Sequence, residues 1–242
     1  GLPPNFTPAF PNITAGRSGE KTPWRFWLGL ARADRYTVDY VRYLTPEYAG
    51  VNSLKERARG KTSGLMRWFV ELPIFQSRGG NRFLTKALLV IERAIPIDRA
   101  IFRLVEHERP DVLLVTPLVD IGSDQVDYVK AAQRLGIRSA LPVLSWDNLT
   151  NKGLIRVQPD KVYVWNEAQK AEAVGMHDAD PERVVLTGAM VYDQWFARRA
   201  STTRDEFCAR VGLDPARPIL LYLCSSPFIA PDEVVFIEQW IG

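Results

Sequence analysis

Cysteine is scarce in this chain. Of 242 residues only Cys208 and Cys224 are cysteine, too few for a disulfide framework, so a reducing cytoplasm is the expected compartment. The two histidines, His107 and His177, stand in no zinc-like spacing. No apolar run approaches the roughly 20 residues that a membrane-spanning helix needs. No Gly-x-Ser-x-Gly elbow occurs, which argues against a serine hydrolase. Internal repeats and low-complexity tracts are missing as well. No signal peptide is visible, but the chain begins at Gly1 without Met, so this says nothing about a leader. The sequons at Asn5, Asn12 and Asn148 carry no weight without a secretory context.

What is present is an ordinary globular composition, 46% hydrophobic and 24% charged. The net charge of +3 is unevenly placed. Residues 1–110 hold 18 Lys/Arg and 10 Asp/Glu, and residues 111–242 hold 13 and 18, about +8 against −5. A basic half suggests an anionic partner or surface. Trp24, Trp27, Trp68 and Phe69, interleaved with Arg25, Arg32, Arg67 and Arg82, suit peripheral contact with an anionic membrane; a helical core with a solvated basic face is the alternative.

Residues 1–23, rich in Pro, Gly, Thr and Asn, read as an irregular segment. From Trp24 to 109 the pattern is helical. One helix carries Trp27, Leu30, Val38, Val41 and Leu44, with Arg and Asp between them, and ends at Pro46 and Gly50. A second runs through "SLKERARGKTSGLMRWFVELP" with Ser53 as N-cap. A third, "NRFLTKALLVIERAIP", stops at Pro96, and "DRAIFRLVEHERP" is a fourth. After Pro110 strands alternate with helices: "DVLLVTPL", "RSALPVL", "DKVYVWN", "ERVVLTG" and "PILLYLCSS" are the strands. Continuous apolar strands in this alternation predict a parallel sheet covered on both faces. The last strand and the helix after it, "PDEVVFIEQWI", bury too little to form a domain alone. They are expected to open a second α/β domain, so the chain is expected to be incomplete.

Ligands of open α/β sheets collect at the carboxyl ends of strands, and four such ends are polar here. They hold Asp120, Gly122, Ser123 and Asp124; then Ser145 to Lys152; then Met190 to Asp193; then Ser225 and Ser226 before Pro227. Taken singly, each reads first as a cap or turn; together they read as a cleft rim. The stretch "LPVLSWDNLTNKG" (141–153) stands out, because an apolar strand breaks into hydrogen-bonding side chains around one Trp. Trp146 can offer a sugar ring an apolar face, and Asp147 and Asn148 can bind vicinal hydroxyls. Lys152 supplies a cation for a phosphate-linked ligand. The alternative is a turn with Trp146 in the core and Asp147 or Asn148 capping the next helix. Gly122 and Ser123 before a helix at Asp124 could hold an anion, but Asp120 and Asp124 would repel phosphate; Asp124 also reads as an N-cap.

Other motifs fall away. Gly60-Lys61-Thr62 lacks the earlier glycine and the strand of a P-loop, and "GRSGEKT" fails likewise. Asp178-Ala179-Asp180 resembles a metal-binding Asp-x-Asp, but helix-turn capping explains it. His107 reads as a surface residue, His177 as a solvated loop histidine, and Cys224 as a small core residue in a strand.

The stretches "RPDVLLVTPL…AAQRLGIRSAL", "PDKVYVWNEAQKAEAV" and "DPERVVLTGAMVYDQW" resemble the N-terminal domain and crossover of GT-B-fold glycosyltransferases, closest to bacterial surface-carbohydrate and cell-wall proteins. CDP-glycerol glycerophosphotransferases and UDP-GlcNAc 2-epimerases share that architecture. The resemblance covers roughly 110–242; residues 24–109 match no general motif. It departs in lacking the first strand and its glycine-rich loop, which would precede Gly1. The implied fold is α/β and GT-B-like, a Rossmann-type parallel sheet with a helical N-terminal insertion and the start of a second α/β domain. Its parts are a helical region (24–109) and an α/β part (110–187) of the acceptor domain, a crossover (188–217) and the start of a donor domain (218–242). The resemblance implies transfer of a sugar from a nucleotide-sugar donor to a carbohydrate or lipid-linked acceptor in polysaccharide or cell-wall synthesis. It implies no metal, no cofactor and no nucleic acid. Asp120, Asp147 and Glu167 are the candidate bases. Gly122, Ser123, Trp146, Asn148, Lys152 and Asn166 would face the acceptor, and Gly188, Asp193, Ser225 and Ser226 the donor. Most donor contacts would lie beyond Gly242, so this chain is expected to bind a free nucleotide sugar weakly. A nucleotide-sugar epimerase, a glycerophosphotransferase and a non-catalytic carbohydrate-binding relative are the other implied readings.

Overall fold

The computed structural model describes residues 22–226, 230 and 232–242, with side chains from Phe26 onward. The irregular segment expected over 1–23 lies almost wholly outside these residues, as do the side chains of Trp24 and Arg25 and the residue Pro227. The chain divides into two compact units, Gly1–Met190 and Val191–Gly242.

The first unit opens with α1 (Thr22–Arg42). Its last two turns are buried on every side, from Thr37 to Arg42, including the charged Asp39 and Arg42. The sequence pattern places those charges between apolar positions and so toward solvent. They are buried because partners from other elements neutralise them. Helices α2 (Asn52–Lys61) and α3 (Gly64–Val70) replace the single helix expected there. Thr62 turns into an extended conformation between them, and its hydroxyl donates to Ala58 O and Tyr36 O at 3.0 and 3.2 Å. Val51, not Ser53, occupies the N-cap of α2.

A short α4 (Pro73–Gln76) leads into α5 (Arg78–Ala94), which buries Asn81, Leu84, Leu88 and Glu92 at helical spacing. Ser77 caps α5 by accepting from Gly80 N, and Ile95 is extended because Pro96 follows it. Asp98 caps α6 (Arg99–Glu108) through Ala100 N and Ile101 N. A buried ionic cluster ties α1, α5 and the later α7 (Val126–Leu135) together. Arg35 Nε meets Glu92 Oε2 at 2.8 Å and Arg35 Nη2 meets Asp127 Oδ1 at 3.0 Å. Lys130 Nζ adds Glu92 Oε1 at 3.3 Å. Removing one member of such a cluster leaves buried charge unpaired, at a cost of roughly 3–5 kcal/mol.

Four parallel strands follow, β1 (Val112–Leu114), β2 (Arg138–Pro142), β3 (Lys161–Val164) and β4 (Val184–Leu186), in the spatial order β1-β2-β3-β4. Leu113 lies opposite Ser139, Leu141 opposite Val162, and Tyr163 opposite Val185. Between them lie α7, closed by Gly136 in the left-handed region, then α8 (Asn148–Asn151) and α9 (Glu167–His177). Val119, Val126, Val129, Leu141, Leu149, Val162 and Val164 form the centre of the sheet's core. This is an α/β parallel-sheet architecture compatible with a Rossmann-like fold. Coverage of both faces, expected from the apolar strands, is incomplete at the edges: Val112 and Leu114 are 51% and 61% exposed.

The second unit contains α10 (Asp193–Ala197), α11 (Arg204–Val211) and α12 (Glu233–Ile241). Thr203 and Glu206 form a capping box on α11, and Gly212 ends it with positive φ. The strand expected in "PILLYLCSS" does not form. A strand needs a neighbour to take its backbone hydrogen bonds. Leu220, Leu221, Leu223 and Cys224 are exposed instead, which corrects the reading of Cys224 as a core residue. Tyr222 packs on Phe236 and Trp240 of α12, with ring centroids 5.9 and 5.8 Å apart.

Among the described residues no helix is long and apolar enough to cross a membrane, and no group of three His, Cys, Asp or Glu could hold a metal ion.

Candidate functional site at the carboxyl ends of the strands

The loop after β2 is the most elaborately held part of the first unit. Arg42, on α1, donates to the carbonyls of Leu149, Lys152 (3.0 Å) and Gly153 (2.8 Å). Tyr43 Oη donates to Lys152 O at 2.6 Å, Tyr48 Oη to Thr150 O at 2.9 Å, and Arg57 to Asn151 O. The buried Asp39 accepts from Leu154 N (2.8 Å), Gly122 N (2.8 Å) and Arg156 Nη1 (2.6 Å). Arg156 Nη2 then donates to Ser123 O at 2.7 Å. One carboxylate and one guanidinium thus join the loops after β1 and β2 to the helical region. Gly153 is required by this approach, because a Cβ there would lie 2.5 Å from Asp39 Oδ2.

His177 completes the anchoring from α9. It is buried, which corrects its reading as a solvated loop residue. Its Nδ1 accepts from Ile155 N at 3.1 Å, so Nε2 carries the proton and donates to Leu149 O at 2.7 Å. Burial and the neighbouring Arg42 guanidinium hold its pKa down at about 3, against a smaller upward effect of the Leu149 bond.

The expected site residues sort by what they touch. Trp146 is 71% exposed and does not fill the core. Asp147 occupies the N-cap position of α8 but makes no side-chain cap bond; its two oxygens accept from Ser145 Oγ (2.6 Å) and Asn151 Nδ2 (2.5 Å). Burial pushes its pKa up, but these hydrogen bonds outweigh that and keep it below the ordinary carboxylate value. Asn148 is buried and accepts from Ser145 N at 2.9 Å. Lys152 Nζ pairs with Asp120 Oδ1 at 3.1 Å, bridging the first two loops at the surface. Gly122 lies against the Tyr36 ring with positive φ, and its N–H is given to Asp39. Ser123 Oγ accepts from Gln125 N at 3.2 Å, and α7 begins at Val126 rather than near Asp124.

The loop after β3 adjoins the loop after β2. Asn166 caps α9 by accepting from Gln169 N at 3.0 Å, and Gln169 Nε2 donates to Ser145 O at 3.2 Å. Glu167, in the first turn of α9, is exposed and has no hydrogen-bond or ion-pair partner among the described residues. After β4, Thr187 N donates to Val164 O at 2.9 Å, and Gly188 takes positive φ. In the second unit Asp193 is the exposed first residue of α10. The Ser225 amide is taken by Glu233 Oε1 and Oε2 at 2.8 and 3.0 Å, and Ser226 O accepts from Ala230 N. Asp178 ends α9 in the left-handed region and Asp180 caps the next turn, as capping predicts.

Three loops therefore gather Asp120, Lys152, Trp146, Asp147 and Glu167 along one end of the sheet. The described strands run in one direction without a reversal of order, so they contain no switch-point crevice of the kind that holds ligands in doubly wound sheets. The residues that the sequence reading missed are Asp39, Arg42, Arg156 and His177. The sequence held no signal for the first two, because helical spacing set them between the apolar positions of α1. Compared with family models, curated proteins and solved structures, the chain matches none.

Proposed function

We propose that this chain supplies the acceptor-side part of a glycosyltransferase-like enzyme, which moves a sugar from a nucleotide-sugar donor to a surface-polysaccharide or cell-wall acceptor. The observation that carries the reading is Trp146, a large exposed indole on a loop held by four hydrogen bonds to Asp39 and Arg42 of α1 and a fifth from Tyr43 just after it. Carrying an exposed aromatic on an anchored loop suits stacking on a sugar ring, because less backbone freedom is lost on binding. Asp147 and the Asp120–Lys152 pair border it with acceptors and a cation for hydroxyl groups. Glu167 is the rim carboxylate whose oxygens are free to accept a proton from an acceptor hydroxyl, and it takes the role of general base. Gly188, Asp193, Ser225 and Ser226 keep their assignment to the donor by resemblance alone. The acceptor is lipid-linked or polymeric, and the anionic surface that presents it is a membrane face met by α3 to α5. Leu65, Trp68, Ile74, Phe83 and Val90 are exposed there among Arg67, Arg78, Arg82 and Lys86.

A second reading, a non-catalytic carbohydrate-binding protein, is favoured by two facts. Asp147 is held below the usual carboxylate range and Asp120 is salt-bridged, so neither is poised as a base. Release of nucleoside diphosphate from a donor panel, with acceptor oligosaccharides, separates the readings. Transfer that falls by about a hundredfold or more in Glu167→Gln, with unchanged stability, supports the enzyme. Oligosaccharide binding that is lost in Trp146→Ala without turnover of any donor supports the binder. Neither binding nor turnover refutes both.

A further inference from the structure

We propose that the first unit carries a second ligand site, at the opposite end of the sheet from the rim, for a diphosphate borne on an apolar or ring-shaped body. A cavity of about 980 Å³ opens there between the end of α5, α6, the end of α7 and the segments leading into β3 and β4. Arg93, Arg99, Arg103, Lys130, Arg134 and Arg183 line it, and no carboxylate does. Gln158 precedes β3, Arg183 precedes β4, and Arg134 precedes β2, so the site faces the amino ends of the strands.

Three observations point to an anion rather than to a solvated basic face. The nearby acids are consumed, since Glu92 and Asp127 are buried against Arg35 and Lys130. Arg93, Arg103 and Arg134 have no hydrogen-bond or ion-pair partner among the described residues, so their guanidinium forks remain available for phosphate oxygens. One lining cation is fixed in place: the buried Lys130 Nζ is held on Glu92 O at 2.7 Å and Ile95 O at 2.6 Å. Size and lining give the rest of the ligand. The volume is at the upper end of the roughly 300–1,000 Å³ usual for small-molecule sites, far more than one phosphate fills. Ile97, Phe102 and Val157 supply an apolar wall. Both a nucleoside diphosphate and a prenyl diphosphate present this combination. The inference does not depend on the sugar-transfer reading.

Calorimetry on the full chain, at about 0.1 M salt, compares inorganic pyrophosphate, adenosine diphosphate and geranyl diphosphate. One of the two bodied ligands is expected to bind with Kd below about 100 μM and about tenfold or more tighter than pyrophosphate. Preference for the nucleoside identifies a soluble nucleotide, and preference for the prenyl chain a lipid carrier. Arg103→Gln with Arg134→Gln is expected to weaken binding about tenfold or more, while Arg210→Gln, an exposed arginine of α11 outside the cavity lining, leaves it unchanged. If the double variant does not fold, Arg93→Gln alone, at the exposed end of α5, carries the same test. No binding of any of the three up to about 1 mM overturns the proposal. So does affinity that the cavity variants leave unchanged, or pyrophosphate binding as tightly as both bodied ligands.

Discussion

Replacing His177 with Asn, and following unfolding by urea from about pH 7.5 down to pH 5, tests how the loop after β2 is anchored. The folded protein holds His177 neutral, with Nδ1 accepting from Ile155 N and Nε2–H donating to Leu149 O. A second proton would turn Nδ1 from acceptor to donor, facing the Ile155 N–H. It would also place a buried positive charge near Arg42, and the pKa is accordingly depressed from 6.5 to about 3. In the unfolded chain the imidazole titrates normally. Between the two values the unfolded state binds more protons, so this contribution is complete above 6.5 and is lost as pH falls toward 3. At pH 5 the loss comes to roughly 2 kcal/mol, from 1.36 kcal/mol per pH unit below 6.5. At pH 7.5 His177→Asn should cost roughly 2–3 kcal/mol, because one of two buried hydrogen bonds and part of the packing are lost. The gap between wild type and variant should then narrow by roughly 2 kcal/mol at pH 5. Taking the difference cancels every other titrating group. Two stability curves that stay parallel across the range would refute the assigned tautomer and the burial argument together.

Asp34 should act in the opposite sense. It is buried, neither of its oxygens has a hydrogen-bond partner, and burial followed by the charge of Glu92 raises its pKa to about 7. The folded state binds the extra proton between 3.8 and 7, so the protein loses stability as pH rises through that window. Asp34→Asn should therefore be more stable than wild type at pH 7.5, by on the order of a few kcal/mol, with the advantage fading near pH 4 in denaturant melts. Gly153→Ala should cost several kcal/mol, on the order of 3, because its Cβ collides with the Asp39 carboxylate. Gly136→Ala has open space and only its positive φ to accommodate, so about 1–2 kcal/mol is expected in the same measurement. For the face of α3 to α5, co-sedimentation with anionic vesicles should fall as salt rises and fall further in Trp68→Ala; equal binding to neutral vesicles at all salts would contradict an electrostatic contribution.

The alternation of strands and helices after Pro110, the stop of α5 before Pro96 and the closure of α7 at Gly136 are all legible in the sequence. Each depends on neighbours along the chain: apolar runs between turn residues, a proline without a free N–H, a glycine that accepts positive φ. The break between α2 and α3 was not legible, because Thr62 is held by Tyr36 O from another helix. The missing strand at 218–226 was not legible either. Its residues favour extended backbone, but a strand exists only with a partner.

The candidate site divides in the same way. The sequence by itself determined that polar loops would follow apolar strands, and that Trp146, Asp147 and Lys152 would share one of them. Periodicity and turn chemistry are local, and they suffice for that. Only the tertiary structure decided which of these residues face solvent and which hold the loop. Asn148 and Asp147 are bound by Ser145 and Asn151 within the turn, whereas Trp146 is left outside. It alone decided that Asp39 and Arg42, more than a hundred residues earlier, are buried beneath that loop. A charge enters a core when its partners wait there, and those partners are backbone groups and an arginine brought together by folding, which no spacing along the chain encodes.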